Sequence, residues 1–175
     1  MTIHSEHPFL PPEGERSPLR RLRGRLTAPV TAWTAVSARG RPVGLTVSSM
    51  LVADGDPGMV IGLVDPDSDL YPAMLGTGSV AVSLLAPRHR QLADALAGTA
   101  PAPGGPFTIG RWADTACGPV LSDAPAWLTA TLDGEPEPVG WSMLVRARVV
   151  QVEIRSEDEL LTVFRGRYGA SGSAE

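Results

Sequence analysis

Few side chains in this sequence are suited to acid–base or nucleophilic chemistry near neutral pH. His4 and His7 lie within residues 1–17, which we expect to form a mobile arm, so His89 is the only histidine of the remaining chain. One histidine is too few for a histidine-rich metal site, and a Ser-His-Asp triad is correspondingly hard to build. His89 stands between arginines at a predicted helix start, and we interpret it as a solvated or capping side chain rather than as a base.

The other reactive side chains are equally scarce. Cys117 is the only cysteine, which excludes an internal disulfide and a multi-cysteine metal site. No base or cation is evidently placed to activate its thiol, so we interpret it as a core or loop residue. All fifteen basic residues are arginine, which excludes mechanisms that need a lysine. The chain also lacks a P-loop and a glycine-rich dinucleotide motif. We therefore expect no metal site, and either a cofactor that supplies the chemistry or a plain binding role.

Length and composition are those of one ordinary domain. A chain of 175 residues can bury a substantial core, and it contains no apolar run of the roughly 20 residues that span a bilayer. Its first residues are charged and proline-rich where an export signal would need an apolar stretch. The net charge of -4 gives no reason to expect nucleic acid. A cytoplasmic protein with no membrane or nucleic-acid partner is expected.

Short strand patterns, bounded by turn residues, dominate the chain after residue 17. The predicted strands are 30–36, 44–51, 59–64, 79–85, 125–132, 139–154 and 160–164. One predicted helix begins at Ser68 and ends at Gly76, and a second begins at Pro87 and stops at Gly98. Because crossover helices are few, the pattern predicts a mainly β fold, a six- to seven-stranded barrel with two or three inserted or flanking helices.

The predicted domain covers residues 18–170, after the arm and before a flexible tail at 171–175. Its first element is a short amphipathic helix with leucines at positions 19, 22 and 26. Four arginines lie between these leucines, and we interpret them as a solvated face, with a basic patch for an anionic partner as the alternative.

An ordered set of motifs resembles the FMN-binding split-barrel family of flavin reductases. The order is kept over roughly residues 18 to 169, and no single motif is specific by itself. The matching segments are Gly44-Leu-Thr-Val-Ser-Ser49, the stretch 57–68, Val80-Ala-Val-Ser-Leu-Leu85, Leu92-Ala-Asp-Ala-Leu-Ala-Gly98, Gly118-Pro-Val-Leu121 and Arg165-Gly-Arg-Tyr168.

The resemblance implies a split β-barrel and a function. It implies bound FMN, with FAD or a deazaflavin as alternatives, and NADH or NADPH as co-substrate. It also implies a homodimer with the flavin at the subunit interface, and a partner such as a monooxygenase that receives reduced flavin or electrons. The alternatives are a non-enzymatic flavin-binding protein and a deazaflavin- or haem-binding relative, of which the haem case lacks an evident histidine ligand.

The resemblance also assigns candidate cofactor-binding residues. The isoalloxazine and ribityl groups would lie along one strand, with Gly44 allowing close approach and Ser83 adding a polar contact. That strand contributes Thr46, Val47, Ser48 and Ser49. The phosphate would meet the loop Asp65, Pro66, Asp67 and Ser68, with charge supplied by Arg165, Arg167 or the other subunit. Tyr168 completes the terminal motif, and Trp141 is a stacking or a core residue.

Two positions depart from the family pattern. Asp69 stands where relatives often carry an arginine for the phosphate, and a carboxylate beside a phosphate is repulsive. The stretch Val139-Gly-Trp-Ser142 lacks the histidine that relatives often carry near the flavin and nicotinamide. These departures favour weak FMN binding and put NAD(P)H-dependent turnover in question.

Overall fold

The computed structural model describes residues 18–156 and 159–171. The expected N-terminal arm, residues 1–17, and residues 172–175 of the expected tail lie outside the described residues. None of the helices in the described part of the chain has the length and apolar character that crossing a bilayer requires.

The described residues form mostly antiparallel strands, with three short α-helices between them. The helices are α1 (Pro18–Arg23), α2 (Leu70–Thr77) and α3 (Arg90–Leu96). The strands are β1 (Ala28–Pro29), β2 (Thr31–Val36), β3 (Pro42–Val47), β4 (Met50–Ala53), β5 (Met59–Val64), β6 (Ser79–Leu84), β7 (Trp112–Ala113), β8 (Val120–Leu121), β9 (Ala126–Leu132), β10 (Glu137–Val139), β11 (Ser142–Ile154), β12 (Leu161–Phe164) and β13 (Arg167–Ala170).

The main sheet is strongly curled into a half-barrel. Its strand order is β3-β2-β6-β9-β11-β5-β4, and β10 pairs with β11 outside this path. The strands at its two edges, β3 and β4, are consecutive in the chain and joined only by Ser48 and Ser49. That short link holds the two edges together and forces the sheet to curl. The prediction of a mainly β, barrel-like fold with two or three helices is confirmed.

Alternating apolar residues fill the inside of the curled sheet. Trp33 on β2 is fully buried in this core, among valines and alanines of β5, β6, β9 and β11. A Cβ on Gly62 of β5 would lie 2.6 Å from a ring carbon of Trp33, so only glycine fits opposite the indole. Helix α2 closes one end of the barrel with three buried side chains, Leu70, Ala73 and Met74.

A second apolar layer covers the outer face of β2. It joins Val30 and Ala32 to α3, to the loop around Phe107 and to the separate sheet β1-β12-β13. Predicted helix residues Leu92, Ala93 and Leu96 are buried here. Strand β2 is therefore packed on both faces, which explains its nearly continuous burial.

Several predicted boundaries differ from the structure. Helix α2 has Asp69 at its N-cap and Gly78, whose φ is 65°, at its C-cap, instead of beginning at Ser68 and ending at Gly76. The predicted strand 44–51 breaks at Ser48–Ser49, where the chain changes partner from β2 to β5. The predicted strand 139–154 is divided by a turn at Gly140, whose φ of 58° places it in the left-handed region.

Candidate functional site

The break between β3 and β4 exposes backbone groups that the sheet does not use. Ser49 Oγ donates to the Leu63 carbonyl at 3.0 Å and accepts from the Leu63 N–H at 3.2 Å. The hydroxyl thus stands where a backbone partner would complete the ladder. Within the described chain, the backbone of Ser48 and Ser49 makes no hydrogen bond to other backbone groups. The half-buried link therefore offers unpaired N–H and C=O groups beside an apolar barrel wall.

The preceding residues of β3 face alternate sides of the sheet. Val47 faces the barrel core, whereas Thr46 donates its hydroxyl to the Ala93 carbonyl of α3 at 2.6 Å. A Cβ on Gly44 would lie 3.0 Å from a methyl carbon of Leu96 and 3.2 Å from the Phe107 ring. The close approach at Gly44 is therefore made by these two side chains and the Trp33 carbonyl oxygen, and the Thr46 hydroxyl is already bound within the protein.

The loop at residues 65–69 has most of its polar groups turned inward. Ser68 Oγ donates to the Asp65 carbonyl at 2.6 Å, and the Ser68 N–H donates to the same oxygen. The Asp67 N–H donates to the Asp65 carboxylate at 2.9 Å. Asp69 caps α2 without a side-chain hydrogen bond to the helix. The loop therefore presents three carboxylates and few free donors, a poor set for binding a phosphate without added positive charge.

The register places this loop, the serine link and Trp141 at one region of the barrel. Ser49 is bonded to Leu63, two residues before Asp65. Strand β11 begins opposite the end of β5, with Met143 paired to Val64. Trp141 precedes β11 and is 75% exposed, so it is not a core residue. Its indole is available to cover a flat ligand bound at the link.

A groove of about 630 Å³ adjoins the loop on the side of Asp69. It lies between the β2–β3 hairpin, the start of α2 and the segment 104–107. Asp69 lines it together with Arg39, Arg41 and Phe107. The sequence analysis missed these last three residues. The two arginines flank a glycine in the five-residue loop between two strands, a pattern that could have indicated a site for an anionic ligand.

Four further candidate residues lie elsewhere. Ser83 is buried, and its hydroxyl accepts the Leu121 N–H at 3.0 Å, so it joins β6 to β8. Arg165, Arg167 and Tyr168 belong to the β12–β13 hairpin, which packs at the start of β2. Asp69 lies at the other end of β2, about 20 Å away for a strand of this length. Within one chain, these arginines are therefore distant from Asp69.

Tyr168 is held by α3 rather than left free. Partial burial raises the pKa of Tyr168 to about 12, and a hydrogen bond with Asp94 adds to the rise. The Arg90 guanidinium lies 5.1 Å from its ring centroid. Because Thr46 contacts the neighbouring Ala93, Tyr168 acts as part of the outer wall that supports β3.

The one histidine of the described chain is structural. His89 Nδ1 accepts the Ala86 N–H at 3.0 Å, so the neutral ring carries its proton on Nε2, which lies 3.1 Å from Asp123 Oδ2. Burial opposes ionisation of Asp123, but hydrogen bonds from His89 and Arg88 outweigh it and lower the carboxyl pKa. The capping interpretation of His89 is confirmed; the solvated one is wrong, since the ring is only 8% exposed.

The residues at the serine link fit the flavin that the resemblance implies. A flavin ring needs an apolar wall and paired donors and acceptors for its pyrimidine edge. The unpaired backbone of Ser48 and Ser49 supplies the donors and acceptors, and the Ser48 hydroxyl makes no hydrogen bond to the residues described here. The fit is therefore good for the ring and incomplete for the phosphate.

Comparison with known proteins gives one family match and one curated relative. The family model of the flavin reductase like domain matches residues 23–172. The FMN reductase (NADH) RutF of Variovorax paradoxus (strain S110) is 32% identical over 117 residues, which cover 66% of this chain and 64% of that protein. The match thus spans slightly less than two thirds of the relative's length.

Solved structures share the fold at low identity. Flavin reductase PheA2 in its native state has a TM-score of 0.78 and 20% identity, covering 89% of this chain and 97% of that one. The NADH:FAD oxidoreductase SgcE6 of Streptomyces globisporus C-1027, in complex with NAD and FAD fragments, has a TM-score of 0.79 and 21% identity, and the match covers 93% of this chain and 96% of that one. The styrene monooxygenase flavin reductase of Pseudomonas putida S12 has a TM-score of 0.78 and 20% identity, and the match covers 90% of this chain and 99% of that one.

Proposed function

Because this chain belongs to the flavin reductase like domain family, we propose that it is an oxidoreductase that binds a flavin and reduces it with NADH or NADPH. The observation that carries the proposal is the serine link between β3 and β4. It leaves unpaired backbone donors and acceptors at the edge of an apolar barrel, where a flavin ring can be held. FMN is the proposed flavin, with FAD and a deazaflavin as alternatives.

The proposed reaction requires the protein to position the flavin and does not require a catalytic side chain. The flavin supplies hydride acceptance at its ring, and no acid–base side chain of this chain is needed for that. The protein's part is to fix the ring against the Ser48–Ser49 backbone and to exclude water above it. Trp141, an exposed side chain next to this region, is the residue proposed to stack on the ring.

A monooxygenase is the proposed recipient of the reduced flavin. One solved structure of the same fold is named as the flavin reductase of a styrene monooxygenase, which supports the class of partner. A cytoplasmic location goes with this proposal, since both nicotinamide nucleotides and reduced flavin are supplied there.

We also propose that two copies associate through exposed apolar side chains of β4 and β11. Leu51 and Val52 on β4, and Val150, Val152 and Ile154 on β11, are each between 58% and 78% exposed. Such apolar strand surfaces on a small domain favour association. β4 begins directly after the serine link, so a partner seated there would lie next to the proposed flavin site. Light scattering of FMN-saturated protein should give twice the 18.4 kDa chain mass; a monomer would contradict this arrangement.

A second candidate is a flavin-binding protein without reductase activity. The stretch Val139-Gly-Trp-Ser142 forms an exposed turn without the histidine expected from the resemblance. Absorbance of the protein after incubation with FMN and removal of the unbound flavin separates both candidates from other functions, because retained oxidised flavin colours the protein yellow. Anaerobic addition of NADH or NADPH then separates the two. Bleaching establishes reduction, whereas a yellow protein that neither nucleotide bleaches would establish binding alone.

A further inference from the structure

The loop expected to hold the flavin phosphate has few donors left for a ligand. The Ser68 hydroxyl and the Asp67 and Ser68 N–H groups are all directed to Asp65. Pro72, in the first turn of α2, has no N–H to give. Asp69 adds a negative charge at the groove beside the loop. A phosphate bound near this loop therefore needs cations from another element.

The β2–β3 hairpin carries such cations on a well-ordered turn. The Ser37 N–H donates to the Arg41 carbonyl at 2.8 Å, and Ser37 Oγ accepts the Arg41 N–H at 3.2 Å. Gly40, with a φ of 70°, allows the turn and donates to the Ser37 carbonyl. These bonds fix the backbone from which Arg39 and Arg41 project.

Both arginines line the groove that Asp69 also lines, and both are exposed. Neither forms an ion pair within 4.0 Å with a carboxylate of the described chain. Two guanidinium groups against one carboxylate leave the groove with a net positive charge. Guanidinium groups bind phosphate oxygens through paired N–H donors, with a geometry that suits this ligand.

We propose that Arg39 and Arg41 bind the phosphate of a nucleotide in this groove. They would take the place of the 65–69 loop, which has few free hydrogen-bond donors. The volume of about 630 Å³ lies within the range of small-molecule sites. Phe107 and Pro42 give the groove an apolar wall suited to the adjoining sugar or base. This inference rests on the proposed function, and the phosphate can come from the flavin nucleotide or from the nicotinamide nucleotide.

The test is a titration of the variants R39Q, R41Q and R39Q/R41Q with riboflavin, FMN and FAD, followed by steady-state kinetics with NADH and NADPH. The control for the single variants is R111Q, which removes one positive charge from an exposed arginine that does not line the groove. We expect the double variant to lose at least about tenfold in affinity for FMN or FAD while riboflavin binding stays unchanged. That loss should shrink as salt is raised, because added ions screen the charge.

Each remaining outcome has one meaning. A rise in the KM of NADPH alone, with both flavins unaffected, supports the proposal with the nicotinamide nucleotide as source of the phosphate. Equal losses for riboflavin and FMN, losses matched by R111Q, or no change for any nucleotide would overturn it. In those cases riboflavin binding by the wild-type protein would leave the proposed function intact. A wild-type protein that binds none of the flavins would instead refute the proposed function, and this inference with it.

Discussion

Two polar regions of this molecule use similar side chains in opposite ways. Around His89 and Asp123, the side-chain and backbone groups satisfy one another, and the histidine is buried. Around Ser48 and Ser49, the sheet is interrupted and backbone groups are left unpaired. The first region has the residue types of a catalytic dyad and serves the fold. The second has only serines and is the better candidate for a ligand site.

The difference shows that residue type is a weaker guide to function than the state of the hydrogen bonds. A buried polar group whose partners are all internal stabilises one conformation. A group that the fold leaves unpaired at a surface is available to a ligand. Substitutions in the two regions should therefore separate stability from binding.

The largest effect on stability is expected from His89→Leu. The change leaves the Ala86 N–H without its partner and removes one hydrogen bond to Asp123, at a cost of about 1–3 kcal/mol. Urea unfolding measures this loss, and Asp123→Asn, which keeps an acceptor oxygen, should lose less. The activity of the folded His89→Leu protein should equal that of wild type; a fall in its kcat would assign His89 to the chemistry.

The largest effect on binding is expected from Asp69→Arg. Replacing a like charge with an opposite one beside the phosphate should tighten FMN by one to two powers of ten, about 1–3 kcal/mol. Riboflavin should respond far less. Asp67→Arg is the matched control, because Asp67 is also exposed but does not line the groove. Equal changes for FMN and riboflavin in the Asp69 variant would place the phosphate elsewhere.

A smaller and sharper contrast is expected within the serine link. Ser49→Ala removes both hydrogen bonds to Leu63 and should lower the free energy of unfolding by about 1 kcal/mol. Ser48→Ala should leave stability within about 0.5 kcal/mol of wild type and weaken flavin binding up to about tenfold. Thermal unfolding and flavin titration of both variants provide the comparison. A destabilised Ser48 variant with normal flavin affinity would reverse the assignment of the two hydroxyls.

The smallest effect on stability is expected when the pH is lowered. The hydrogen bonds from His89 and Arg88 lower the pKa of Asp123 below its usual 3.8 despite the opposing effect of burial. The contribution of a carboxyl with a lowered pKa is present above the unfolded-state value and is lost as pH falls through the lower folded-state value. Because Asp123 is 47% exposed, solvent keeps the effect small. Wild-type stability should therefore fall more than that of Asp123→Asn between pH 5 and pH 3, about the range where the carboxyl titrates; parallel curves would contradict this.

The order and type of most elements could be predicted from the sequence because they depend on local patterns. The short apolar run 59–64 forms β5 over the predicted residues, and the apolar spacing at Leu92, Ala93 and Leu96 gives the buried face of α3. The short link at Ser48–Ser49 lay inside a predicted strand, since nothing local shows that the chain changes partners there. β3 pairs with the preceding strand β2 and β4 pairs with the following strand β5, so the break falls where the chain passes from one pairing to the other.

The sequence by itself determined the family resemblance, the scarcity of acid–base groups and the mainly β fold. The tertiary structure decided which polar groups remain free. In the folded protein, the hydroxyls of Thr46 and Ser83 form internal hydrogen bonds. Arg165 and Arg167 lie on the β12–β13 hairpin, at the far end of β2 from Asp69. The tertiary structure also brought Arg39 and Arg41 to the groove that Asp69 lines. Hydrogen-bond partners and distances between remote segments depend on packing, and a single sequence does not encode packing in any local pattern.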